Sequence, residues 1–189
     1  LADGTSNTLT DAKTYADTSE SAPNAALWSS ADLTIGGGGS LTVTGQLNDG
    51  IASKDGLVIT AGTINVTAVD DGIRGKDHVA ITGGNITVSA GGDALKSDNT
   101  TDADSGFVDI SGGTLNLAAG TAKGDGIDAT NDIIISDGTI NVSRSYEGLE
   151  ALNIVIGGGT IEVTSSDDGL NVAQTSTSTT TTTTNARGM

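Results

Sequence analysis

A chain of 189 residues is long enough for one domain, yet 28 glycines and only 2 % aromatics leave it short of the large side chains of an ordinary globular core. Its 24 acids against 8 lysines and arginines give a formal charge of -16, which excludes the basic footprint of a nucleic-acid binder and attraction to anionic membranes, and permits a cation or a basic partner. The absence of cysteine excludes disulfides and thiolate metal sites, a single histidine excludes a multi-histidine metal site, and no apolar run reaches the roughly 18 residues of a membrane span.

The chain opens at Leu1 without Met or a signal peptide, and reads as a processed product or an excised fragment. Residues 1–24 read as an irregular first coil or a cap. Ala25-Ala26-Leu27 is a degenerate first copy of a triplet that recurs throughout, and Trp28 follows it at an outward position. Next come LTI at 33 and LTV at 41, then the first full triplet, Asp49-Gly50-Ile51. LVI at 57 and INV at 64 lead to Asp71-Gly72-Ile73, and VAI at 79 and ITV at 86 lead to Asp93-Ala94-Leu95. An insertion, SDNTTDADSG, occupies 97–106. Beyond it VDI at 108 and LNL at 115 precede Asp125-Gly126-Ile127, and III at 133 and INV at 140 precede Glu147-Gly148-Leu149. IVI at 154 and IEV at 161 lead to Asp168-Gly169-Leu170. From 174 to 189 the pattern stops in a Thr-rich tail or linker.

The triplets are spaced by 22, 22, 32, 22 and 21 residues, the long interval holding the insertion. Each run has aliphatic residues at its ends and a different residue between them, the period of a strand with one buried face. Gly pairs such as Gly83-Gly84 and Gly112-Gly113 supply tight turns between runs. Three short strands per coil of about 22 residues predict a single all-β domain, a parallel β-helix over 1–173, in which each strand pairs with its equivalent one coil away. The acid of each triplet then stands at a coil corner, the Gly allows the turn, and the aliphatic residue plugs the core.

The run from Ser40 to Asn99, with its D-G-I, K-D and G-G spacings, resembles the bacterial family of carbohydrate-binding β-helix proteins typified by a clostridial pectin- and cellulose-binding surface protein. The resemblance covers roughly residues 1–173. It implies a right-handed parallel β-helix, extracellular or cell-surface placement, bound calcium, and binding of acidic polysaccharide without catalysis.

Two columns follow from the register. The triplet acids form one: Asp49, Asp71, Asp93, Asp125, Glu147, Asp168. Three residues after each acid stand Ala52, Arg74, Lys96, Asp128, Glu150 and Asn171. One reading of the acids is turn chemistry before Gly. The other is a metal ladder, with Asp71, Asp93, Asp125, Asp128, Glu147, Glu150, Asp168 and Asn171 as ligands. Oxygen-only donors in irregular geometry select calcium, and the upper coils, centred on Asp125 and Glu147, have no basic neighbour to relieve them. Asp98, Asp102 and Asp104 in the insertion are either a second calcium loop or a solvated acidic loop. Arg74, Lys76 and Lys96 form a basic island that either neutralises the ladder or meets uronate carboxylates. Trp28 either stacks on a sugar ring or covers the open end of the helix.

Ile134 and Val155 should be neighbours in an exposed apolar patch. That patch, or the helix ends with their unpaired strand edges, is a place for neighbouring copies of the chain to dock. Three functions are therefore open: polysaccharide binding, a structural repeat unit of a surface or filamentous assembly, and a calcium-dependent polysaccharide lyase with Arg74 or Lys96 as base.

Overall fold

The computed structural model describes residues 1–17, 19 and 22–172, and among these the regular structure is all strand, with no helix. The Thr-rich stretch 174–189 lies outside the described residues. The first coil holds β1 (Ser6–Thr10), β2 (Ala25–Ser29) and β3 (Leu33–Ile35). The second holds β4 (Ser40–Gly45), β5 (Asp49–Ser53) and β6 (Gly56–Ile59), and the third β7 (Thr63–Ala68), β8 (Ile73–Gly75) and β9 (His78–Ile81). The fourth begins with β10 (Asn85–Ser89) and β11 (Leu95–Ser97). Longer strands then run round the corners: β12 (Phe107–Ala118), β13 (Ile127–Arg144) and β14 (Leu149–Ile156), followed by β15 (Thr160–Val163) and β16 (Leu170–Val172).

All pairings are parallel and link one coil to the next, which makes the chain a parallel β-solenoid. The register of the sequence repeat is the register of the structure. Ile51 pairs with Ile73, Ile73 with Leu95, Leu95 with Ile127, and Ile127 with Leu149. The degenerate copy fits too, Ala25 lying beside Asp49 and Leu27 beside Ile51. Residues 6–10, expected to be irregular, form a regular strand against β4.

Five of the column residues, Ile51, Ile73, Leu95, Ile127 and Leu149, are completely buried. Each such side chain contributes about 1.5–3 kcal/mol by leaving water, which is how a chain with so few aromatics builds a core. No single coil can do this alone, because its inward residues need a layer above and below.

The turns are made by the column of the expected Gly pairs and not by the triplet glycines. Gly62, Gly84, Gly113, Gly138 and Gly159 have φ between 85° and 111°, the left-handed region that L-residues avoid. The triplet glycines have no positive φ, so they do not make the turn. They are small because the next coil leaves no room: a Cβ on Gly72 would sit 2.3 Å from Val88 Cγ1 and 2.7 Å from the Ala94 carbonyl oxygen.

At the C-terminal side of the described residues the last coil is open. Leu170 and Val172 are 49 % and 60 % exposed, and Ile156 is 48 % exposed, although its equivalents in earlier coils are buried. Ile134 pairs with Val155, which is 55 % exposed, so the expected apolar patch is present.

Candidate functional site

The triplet acids do not line an open edge as two outward columns would require. Asp49, Asp71, Asp93, Asp125 and Glu147 are all buried. The reason is a backbone need at each corner. The N–H of Asp71 points back toward the preceding coil and donates to Asp49 Oδ1 at 3.3 Å. The N–H of Asp93 donates to Asp71 Oδ1 (2.9 Å), that of Asp125 to Asp93 Oδ1 (2.7 Å), and that of Glu147 to Asp125 Oδ1 (2.9 Å). Ala25 offers no carboxylate, and there the Asn24 carbonyl accepts from the N–H of Asp49 instead. Each of the four aspartates thus satisfies a backbone donor one coil along, which would otherwise cost about 1–3 kcal/mol.

Buried carboxylates stacked at strand spacing need cations. Lys96 Nζ contacts Asp93 and lies 3.6 Å from Asp71 and 3.5 Å from Asp128. Arg74 places Nη2 2.6 Å from Asp98 and Nη1 3.8 Å from Asp49. The two basic residues therefore neutralise the lower ladder, and Asp98 is taken by Arg74 rather than by the rest of the insertion. Lys76 is half-buried and makes no ion pair among the described residues.

Outside the ladder runs one column in unbroken register: Trp28, Ala52, Arg74, Lys96, Asp128, Glu150 and Asn171. It begins with a half-buried aromatic, turns basic, then turns acidic. At the acidic end Asp125, Asp128 and Glu150 bring carboxylate oxygens within 4.8 Å of one another. Glu147 borders this triad, its oxygens accepting from the Asn171 amide at 2.8 and 3.0 Å, and the same amide reaches Glu150 at 3.5 Å. Asp168 is exposed in the outermost coil.

Burial and mutual repulsion push the triad's carboxyls up. Asp125 is raised to about 7, by burial first and then by Asp93 and Glu150. Asp128 is also raised to about 7, by burial and Asp93, with Lys96 opposing, and Glu150 moves in the same direction through burial and Glu147. Lower in the ladder, burial and Asp71 raise Asp49 to about 7, and burial raises Asp71 to about 6 against the pull of Lys96.

These shifts have a sign. A carboxyl with a folded-state value above its ordinary 3.8 holds its proton longer when folded, so its stabilising share is complete below about pH 4 and is lost as pH rises through about 6–7. In metal-free buffer the melting temperature is therefore expected to fall steadily between pH 5 and pH 8. Thermal melts across that range check it, and a melting temperature that climbs with pH would contradict it.

The insertion forms a wall beside the triad. A cavity of about 210 Å³ is lined by Thr100 of the insertion together with Asp128, Thr130, Glu150 and Leu152. Within the loop itself the side chains serve the turn. Asn99 Oδ1 accepts from the N–H groups of Thr101 and Asp102, and Asp102 Oδ1 accepts from the N–H of Asp104. Asp98, Asp102 and Asp104 are not gathered at one point by these contacts.

Two features have no trace in the repeat. His78 stacks on Phe107 with ring centroids 5.1 Å apart and planes 7° from parallel, over Gly56, where a Cβ would meet the imidazole at 2.2 Å. Arg144 lies where the register between β12 and β13 slips, Leu117 pairing with Val142 but Ala118 with Arg144. It is exposed, takes part in none of the ion pairs among the described residues, and donates Nε–H to the Ala119 carbonyl at 2.9 Å. A lone Arg in a Ser-rich turn, RSY after NVS, was the available signal.

Two comparisons with known proteins bear on the family and a third on the fold. Residues 1–188 match the family model described as carbohydrate-binding domain-containing protein. A curated relative of that description from Acetivibrio thermocellus (strain ATCC 27405) is 50 % identical over 145 residues, 76 % of this chain and 50 % of its own length. A solved structure described as the polysaccharide lyase-like protein from C. thermocellum, gadolinium derivative, is similar with a TM-score of 0.66 at 35 % identity, over 93 % of this chain and 64 % of that one. The chain thus spans half the length of the curated relative and under two thirds of the solved one. By a match that runs over nearly its whole length, this chain belongs to the family of carbohydrate-binding domain-containing proteins.

Proposed function

We propose that this chain binds acidic polysaccharide outside the cell without cleaving it, and that calcium held by Asp125, Asp128 and Glu150 joins sugar carboxylates to the outward column. The observation that carries the reading is the change along that column. Where Arg74 and Lys96 stop, three carboxylates converge, and the cation nearest the triad, Lys96, is already shared with Asp71 and Asp93. A hard divalent ion with oxygen ligands at about 2.3–2.6 Å suits such a donor set, and calcium keeps open positions for ligand or water. The family supplies the carbohydrate, and Thr100 of the insertion and Thr130 of β13 supply hydroxyls beside the triad against which a chain of sugars can lie. A gadolinium derivative of the lyase-like neighbour is in keeping with this, since lanthanide ions also seek clustered oxygens.

The lyase reading draws on that neighbour's description. Against it stands the state of the candidate bases. Burial works to lower the Lys96 amine, but Asp71, Asp93 and Asp128 more than offset it and hold the amine above its ordinary value. Arg74 is likewise raised, chiefly through Asp98 against the opposing effect of burial. A proton-abstracting base has to be unprotonated at the working pH, and these two are held protonated.

Polygalacturonate binding by titration calorimetry tests the proposal. Binding is expected in millimolar calcium and is expected to weaken at least tenfold after chelation and in the Asp128→Asn/Glu150→Gln variant. Equal affinity with and without calcium would remove the metal from the proposal. Appearance of unsaturated-uronide absorbance during incubation would replace binding by lyase chemistry.

A further inference from the structure

Arg74 and Lys96 are committed to the ladder, so the acidic glycan needs another cation of the protein. We propose that Arg144 and the hydroxyls around it form a second subsite, one that takes the carboxylate of a single uronate residue. This rests on the reading above that the ligand is an acidic glycan.

Three observations meet there. First, the bulge at Ser143 shifts Arg144 by one place so that it pairs with Ala118, and bulges re-aim side chains at binding sites. Second, the guanidinium is fixed but not spent. The Ala119 carbonyl takes Nε–H, and the two terminal nitrogens carry no ion pair among the described residues. Lys13, Lys54, Lys76 and Lys123 also lack ion pairs there, but none shows a hydrogen bond that anchors it. Third, the side chain borders a cavity of about 160 Å³ whose other walls are hydroxyl-bearing, among them Ser143, Ser145, Thr164 and Ser166. Ser145 is 1 % exposed and its hydroxyl has no hydrogen-bond partner. Buried polar groups without partners are rare and call for one.

The chemistry these groups recognise is narrow. A fixed guanidinium edge presents two parallel N–H donors, which match a carboxylate. Ser143 and Ser166 donate their hydroxyl protons to the Leu117 and Ser145 carbonyls and keep lone pairs that accept from the ring hydroxyls of a sugar, while the Ser145 hydroxyl has both roles open. The volume suits one ring rather than a chain. Arg144 stands six residues before Glu150 of the triad, at the end of the strand that also carries Asp128. A polyuronate can therefore meet a calcium subsite and a guanidinium subsite in turn.

Titration of an oligogalacturonide into wild type, Arg144→Ala and Arg144→Lys, each with calcium and with chelator, tests this. The same samples, labelled for NMR, report whether free galacturonate shifts the amides of 143–145 and 164–166. Expected are an affinity loss of at least tenfold for Arg144→Ala in both buffers, a smaller loss for Arg144→Lys, which keeps the charge but not the fork, and galacturonate shifts confined to those amides in wild type. Oligogalacturonide binding that is unchanged in Arg144→Ala overturns the subsite and leaves the calcium reading standing. If wild type binds no oligogalacturonide, the proposed function falls. Arg144-dependent galacturonate shifts would then still uphold the subsite, and their absence would overturn it as well.

Discussion

Lys96→Met is expected to cost the folded chain about 3 kcal/mol, at the lower end of the range for breaking a buried ion pair because the lysine side chain keeps 24 % exposure. Methionine keeps the stem and removes only the charge. Asp93, Asp71 and Asp128 then face one another without a cation, and two of them, Asp71 and Asp93, are fixed in place by the backbone N–H groups they accept. Carboxylates at strand spacing repel by about 3.5 kcal/mol at an effective dielectric of 20. Urea unfolding at pH 8 measures the loss. At pH 5 the loss should shrink, since Asp71 and Asp128, raised to about 6 and about 7, then carry protons. A cost below about 1 kcal/mol at pH 8, or one that does not change with pH, would show that Lys96 does not govern the ladder.

Gly72→Ala is expected to destabilise by about 3 kcal/mol, an overpacking cost at the upper end of the usual range because one of the two close contacts is backbone. The fourth coil shows how the fold itself escapes this. There the triplet has Ala94 in place of glycine, and Leu117 stands in register with Val88. Val88 directs a β-branched methyl at the glycine, whereas leucine has no branch at Cβ. Gly72→Ala with Val88→Leu should therefore recover at least about 1 kcal/mol of the loss, a coupling typical of residues in contact. Additive losses in the double-mutant cycle would refute the pairing of small with unbranched.

The solenoid was legible because a lateral repeat constrains sequence strongly. A residue such as Ile73 must satisfy a core position and match Ile51 and Leu95 on either side, so the pattern is written several times over. The apolar patch at Ile134 and Val155 followed from the same counting. What the repeat could not reveal was the direction in which a corner group points. Asp49, Asp71, Asp93 and Asp125 are spaced like surface ligands, yet their oxygens turn inward to backbone N–H groups, because the peptide at that corner faces the preceding coil. The triplet glycines were equally ambiguous, since lack of room and a left-handed turn select the same residue. Counting along the repeat could not rank Glu147 against Glu150 as partner to Asp125, since Asn171 donates to both and only Glu150 falls within the 4.8 Å cluster. Arg144 was invisible for the opposite reason. It breaks the register, and a search for repetition passes over what does not repeat.

The insertion after Lys96 carries a lesson of another kind. Leu95 and Lys96 pair with Ile127 and Asp128 on one side of it, and Phe107 pairs with His78 on the other, so the coil closes in register despite ten additional residues. The lattice of strands thus tolerates a detour at this corner, for which loop closure adds only about 0.6 kcal/mol per doubling of length. A scaffold of this sort separates frame from payload: the stacked faces keep time, and one corner is a port through which new contact surface can be added, lengthened or exchanged while the frame is left as it was.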